Sequence, residues 1–275
     1  MNFTIILALI IAGLIGGFFS GLFGIGGGII YVVVLQEYFY YVTNLQNLPH
    51  AAVQLIIANS MFAVMWAGCI GTIKQWLMGT IYPRSVFIIS SGGLISSFIC
   101  NYLIAQMPTF NNKRFVIVFT ILFIFLILQS FYNKKERGVS ENENNLLLFL
   151  FGIIAGIVFA FTGLGGGIVI VPLLHQYMYM EYKKAISISL GFMAIVALIN
   201  TINNILQPTN SYCIPPQYFI GYINFLLILP LVISIIVATP YGVILSKKIP
   251  GDRLKIYFLC FVFLMISYMI YKAFF

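Results

Sequence analysis

Two clusters of glycine hold the most suggestive chemistry in this chain. Gly24, Gly26, Gly27 and Gly28 lie in GLFGIGGGIIYVVVL (21–35), and Gly163, Gly165, Gly166 and Gly167 lie in FTGLGGGIVIVPLL (161–174). A residue without Cβ can take φ > 0 and lets a ligand approach the backbone closely. Where such a cluster interrupts a helix, the first N–H groups of the next segment have no intrahelical acceptor. Together with the helix dipole they form a site for an anion. The pattern G-x-G-G-G lacks the spacing of G-x-G-x-x-G, and no G-K-[ST] follows, so dinucleotide and P-loop readings are weak. Close helix packing through small residues is the competing explanation. Packing alone does not explain why the apolar runs that follow, 29–42 and 168–180, are too short to cross a bilayer.

Neutral polar side chains inside long apolar runs come next. Asn59 and Ser60 sit in one run and Ser187 and Ser189 at the related place in another, with Asn200, Asn203 and Asn204 further on and Gln54 as a weaker candidate. Such groups donate hydrogen bonds to an oxyanion without the ~2.5–3.5 kcal/mol or more that a charge costs at the bilayer centre. Hydrogen bonding between helices, under about 1 kcal/mol per pair, accounts for each of them equally well. The substrate-binding candidates are therefore the eight glycines with Asn59, Ser60, Ser187 and Ser189. Glu37 and His175 fall at nearly equivalent places and invite a proton-coupling role, but nine residues of helix beyond Gly28 carry Glu37 about 13 Å toward the headgroups. Both read as interfacial. Neither histidine near a run lies deep enough to serve a buried nucleophile, so no catalytic residues are expected and the chain does not read as an enzyme. Cys69, Cys100, Cys213 and Cys260 are scattered, with no metal or redox spacing, and no cofactor is expected.

The elements that position these residues must sit in lipid. Of 275 residues 61% are apolar and 7% charged, against roughly a quarter charged in soluble domains. Fourteen Lys and Arg with six Asp and Glu could not cover a water-facing surface. The apolar runs, 3–23, 29–42, 51–73, 85–106, 115–132, 146–162, 168–180, 185–206, 218–246 and 254–271, are apolar all round rather than alternating, which excludes a β-barrel. The fold class is all-α and polytopic. The N-terminus lacks the basic start and small-residue cleavage site of a signal peptide, so the first run is expected to remain. The net charge of +8 comes from short basic clusters between runs. These are topology signals, not a nucleic-acid surface.

The glycine clusters match glycine for glycine at an offset of 139, and Gly79 with Gly221, Pro108 with Pro250 and Lys113 with Lys255 extend the correspondence at an offset of 142. The chain is a tandem repeat: 1–132 the first transmembrane repeat, 133–145 a linker, 146–275 the second. If each broken pair enters and leaves on one side and three full spans follow, alternate loops place eleven basic residues on one side and three on the other. The richer side, which includes the linker, is then cytoplasmic by the positive-inside rule, and loops 43–50 and 207–217 are outside. The two repeats are thereby inverted, a common transporter construction.

At its paired motifs the chain resembles the TauE/SafE sulfite-exporter family of membrane anion carriers, whose halves each open on a G-x-G-G-G-hydrophobic-hydrophobic-x-P-L-L-like motif, here GLGGGIVIVPLL from Gly163. The resemblance covers nearly the whole chain. The first motif departs from it with Val33 where the second has Pro172, and the usual Thr-Ser pair stands as Asn59-Ser60 and Ile188-Ser189. The resemblance implies secondary transport of sulfite, organosulfonates or related small anions across the cytoplasmic (inner) membrane of a prokaryote. The expected partners are a small anionic substrate and the lipid bilayer, with room for a homodimer. An anion channel of the same fold and a membrane assembly or insertion factor are the alternatives.

Overall fold

The computed structural model describes residues 3–39, 49–106, 144–207 and 219–274. Its helices are α1 (Phe3–Phe23), α2 (Gly28–Glu37), α3 (Pro49–Leu77), α4 (Pro83–Gln106), α5 (Asn145–Thr162), α6 (Gly167–Tyr177), α7 (Tyr182–Leu206), α8 (Phe225–Lys248) and α9 (Gly251–Phe274). Among the described residues six of these, α1, α3, α4, α5, α7 and α8, are long and apolar enough to cross a membrane, whereas α2 and α6 are short apolar helices. The expected all-α polytopic class holds. The run 115–132 and most of the linker lie outside the described residues.

One expectation is corrected. The apolar run from 218 does not enter helix at once. It begins as a small antiparallel hairpin, β1 (Phe219–Ile220) with β2 (Ile223–Asn224), Phe219 facing Asn224 and Ile220 facing Ile223. Gly221 turns the corner at φ 57°, a conformation that a side chain opposes. Asn224 then caps α8, its side chain accepting from the Leu227 N–H at 3.1 Å.

Packing follows residue size. On α1 the large residues Phe3, Leu7, Ile11 and Ile15 are exposed, while Gly13, Gly17 and Gly21 press on α8 at Leu231, Ile235 and Gly242. Those contacts advance together along both chains, so α1 and α8 run parallel. Gly152 and Gly156 of α5 meet Ile89, Gly93 and Ser96 of α4 in the same manner. Small residues at i, i+4 and i+8 let two backbones approach, which is how helices associate in lipid, where the solvent gives no hydrophobic drive. Between α3 and α7 the order is reversed: Met61 meets Asn204, Gly68 meets Ala194 and Gly71 meets Leu190. These two helices therefore run in opposite directions where they pack. Exposed large side chains such as Phe87 and Tyr241 cover the outside, as a lipid-facing surface requires.

Candidate functional site

The interruptions form because glycine permits them. In the first, Gly24, Gly26 and Gly27 take φ of 70°, 81° and 65°; in the second, Gly163, Gly165 and Gly166 take 68°, 99° and 68°. Each break closes one helix and opens another in the same way. Gly24 N–H donates to Ser20 O at 2.8 Å and Gly163 N–H to Phe159 O at 2.8 Å. The carbonyl of Gly27 then accepts from Ile30 and Tyr31, and that of Gly166 from Val169 and Ile170. The N–H groups of Gly26, Gly27 and Gly28, and of Gly165, Gly166 and Gly167, have no backbone acceptor outside the helices among the described residues. Short helix α2 folds back along α1, with the Tyr31 ring against Gly16.

The two breaks meet. A Cβ on Gly28 would stand 2.6 Å from Leu164 Cα, and one on Gly167 would run into the Gly24 carbonyl and lie 2.5 Å from Ser189 Oγ. Val64 and Met193, both fully buried, occupy the space beside Gly26 and Gly165 at once. The centre is thus two facing glycine turns with an apolar plug of one valine and one methionine. Among the described residues, the side chains nearest the turns, including Ile57, Ile186 and Phe192, bear no charge.

The four polar candidates form cross-ties between segments far apart in the chain, two of them at the breaks. Ser60 Oγ donates to Gly163 O at 2.9 Å and Ser189 Oγ to Gly24 O at 2.7 Å, so each serine holds the break of the opposite half. Asn59 Nδ2 donates to Tyr222 O at 3.0 Å and to Leu55 O at 2.8 Å, and its Oδ1 accepts from Asn224 N. Ser187 Oγ donates to Thr80 O at 2.6 Å. The structure therefore brings the eight glycines together with Ser60 and Ser189. It places Asn59 and Ser187 toward opposite ends, each on the turn that follows a long helix of the other half. Glu37 closes α2 half-buried, and His175 Nδ1 lies 3.0 Å from Met180 O, both away from the glycines.

Two features escaped the sequence reading. One is the pair Val64 and Met193, which look like ordinary core residues until the breaks are seen around them. The other is a half-open cleft beside the second break, lined by Gln54, Asn101, Asn203, Asn204 and Gln207 together with Ile57, Ala160 and Tyr222. Only Gln54 and the 203–204 pair carried a signal, as amides inside apolar runs.

The two ends of the helix bundle also differ. Lys183 Nζ donates to Lys247 O at 2.8 Å, Lys184 stands 5.0 Å over the Tyr82 ring, and Ser187 reaches Thr80, so the turns near 80, 182 and 248 share one end. The amide-lined cleft and the 219–224 hairpin share the other.

Glycine-broken short helices crossed within a bundle of long apolar ones define a multi-pass membrane protein of transporter construction. The sequence model described as Sulfite exporter TauE/SafE matches residues 9–269. A probable membrane transporter protein of Methanocaldococcus jannaschii is 29% identical over 252 residues, covering 90% of this chain and 89% of that one. One of Haemophilus influenzae is 26% identical over 255 residues, 92% and 93% of the two chains, and one of Bacillus subtilis 22% over 267 residues, 90% of each. No solved structure matches. The chain belongs to the TauE/SafE family, whose members are membrane transporters and not enzymes.

Proposed function

We propose that the chain is a secondary carrier of small anions, with sulfite, organosulfonates and related sulfur oxyanions as the substrate class, acting across the cytoplasmic membrane. The observation that carries this reading is the meeting of two glycine breaks whose N–H groups have no backbone acceptor outside the helices, and whose nearest side chains are uncharged, among the described residues. Backbone donors at paired helix N-termini can take an anion from water without an expensive buried cation. Substrate contacts are assigned to Gly24, Gly26, Gly27, Gly28 and Gly163, Gly165, Gly166, Gly167. Ser60, Ser189, Asn59 and Ser187 hold the turns and can exchange a carbonyl partner for the anion as the halves move. The antiparallel crossing of α3 and α7 supports inverted repeats, 1–132 and 146–275, about the linker 133–145. The end holding Lys183, Lys184, Lys247 and Arg84 is then cytoplasmic by the positive-inside rule. A carrier is favoured over a channel because Val64 and Met193 fill the space beside Gly26 and Gly165, where the breaks meet.

The test is purified protein screened by thermal shift against sulfite, thiosulfate, sulfoacetate, taurine and sulfate, followed by flux of the best binder in proteoliposomes. A ligand that binds the folded form raises the melting temperature by mass action. At least one sulfur oxyanion is expected to stabilise the protein and to cross protein-containing vesicles faster than empty ones. Absence of both effects for all five would leave the assembly-factor alternative standing.

A further inference from the structure

The cleft beside the second break is lined by five carboxamides drawn from three helices, Gln54 of α3, Asn101 of α4, and Asn203, Asn204 and Gln207 of α7 or its end. No ionised side chain lines it among the described residues. Ile57, Ala160 and Tyr222 complete its lining, and the Ile57 carbonyl lies 3.2 Å from where a Cβ on Gly163 would be, so the cleft adjoins the turn of the second break. Two of the amides, Asn101 and Asn204, have side-chain partners of their own. Asn200 donates to Ser97 Oγ at 3.0 Å and to Val196 O at 2.7 Å, and accepts from Asn101. Asn204 Nδ2 rests 3.5 Å from the Met61 sulfur, a weak partner that an oxyanion could replace.

The opposite end carries different chemistry at corresponding places. At the spacing that relates Ser60 to Ser189, Gln54 corresponds to Lys183 and Asn203 to Lys74. Two positions that are basic at one end are thus neutral amides at the other. This matters for which anion is accepted. The cost of taking an ion out of water grows with the square of its charge, whereas the attraction of neutral N–H dipoles grows only linearly with it. A cleft of amides therefore suits a singly charged oxyanion and rejects a doubly charged one, while a lysine-lined mouth would accept both.

Resting on the carrier reading above, we propose that this cleft is a binding site for small oxyanions on the route to the glycine breaks, and that its neutral amides select monoanions over dianions. The experiment follows uptake of radiolabelled sulfite into proteoliposomes, with unlabelled methanesulfonate as the monoanionic competitor and sulfate as the dianionic one. Methanesulfonate should compete at a concentration at least about tenfold below sulfate, the scale of one or two charge-assisted hydrogen bonds. Gln207→Leu should raise the apparent KM about fivefold with Vmax within about twofold, the signature of lost ground-state binding. Asn203→Lys should bring the sulfate constant down to or below that of methanesulfonate. Both residues are only half-buried, so these variants should fold. Sulfate competing as well as methanesulfonate on the unaltered protein, or an anion preference unmoved by Asn203→Lys, overturns the cleft proposal and leaves the carrier intact. Absence of any sulfite uptake by the unaltered protein overturns the carrier reading itself, and the cleft proposal with it.

Discussion

At the first break the three left-handed glycines have φ of 70°, 81° and 65°, and at the second 68°, 99° and 68°, yet the side chains over them do not match. Tyr31 stands one turn into α2 with its hydroxyl beside Gly27, where α6 has Ile170; over Gly166 lies the ring of Phe192. The matched part is where the breaks touch each other: Gly28 on Leu164, Gly167 on Gly24, and Gly26 and Gly165 both against Val64 and Met193. The unmatched part is where each faces the helices beside it. A shared contact must be specified from both sides, so the glycines repeat. A private contact is specified once, so the side chains are free to diverge.

The largest expected effect comes from breaking the shared contact. Gly28 and Gly167 have ordinary helical φ, so Gly28→Ala and Gly167→Ala incur no left-handed strain, only the steric cost against the opposite break. That cost is high because the obstacles include backbone atoms, Leu164 Cα at 2.6 Å in one case and the Gly24 carbonyl in the other. Each variant should lose about 3 kcal/mol or more, read as loss of the monodisperse folded fraction in detergent. The two losses should be similar, because each glycine presses on the partner turn. A Gly167→Ala protein that melted with the wild type would show that the breaks do not interlock.

A smaller effect separates two turn glycines, Gly79 and Gly221. Both have positive φ, 65° and 57°. A Cβ at Gly79 would meet nothing within 4 Å, whereas at Gly221 it would run into the carbonyls of Asn204 and Ile205. Gly79→Ala should therefore cost only the left-handed strain of about 1–2 kcal/mol, and Gly221→Ala distinctly more. The difference in melting temperature between the two variants checks it. Equal losses would mean that backbone strain alone decides.

Much of this was legible in the sequence, and the reason is local. The glycine clusters, the shortness of α2 and α6 and the six long apolar helices follow from residue type and run length, which need no knowledge of neighbours. The hairpin at 219–224 was missed because Phe219, Ile220 and Ile223 read as apolar helix as easily as strand. Ser60 and Ser189 were recognisable as buried donors, but not their acceptors, since the carbonyls of Gly163 and Gly24 belong to the other half. The cleft was invisible for the same reason: Asn101, Gln54 and Gln207 converge only after three helices pack.

The smallest effect tests the private side of the first break, at Tyr31. Its ring is fully buried against Gly16, and its hydroxyl is buried with no hydrogen-bond partner. A buried hydroxyl without a partner costs on the order of 1–3 kcal/mol. Tyr31→Phe keeps the ring in the Gly16 notch and removes only the oxygen, so the ligand-free protein should melt about 2–4 °C higher. On the carrier reading the hydroxyl gains its partner when an anion reaches the first break, so the same variant should show a smaller anion-induced rise in melting temperature. Ile170→Tyr, at the corresponding place in α6, should do the opposite to the ligand-free protein, because an added buried hydroxyl and the overpacked ring both destabilise. If Tyr31→Phe instead melted lower, the hydroxyl would already be satisfied in the free protein, and the chemical difference between the two breaks would reduce to a difference in packing.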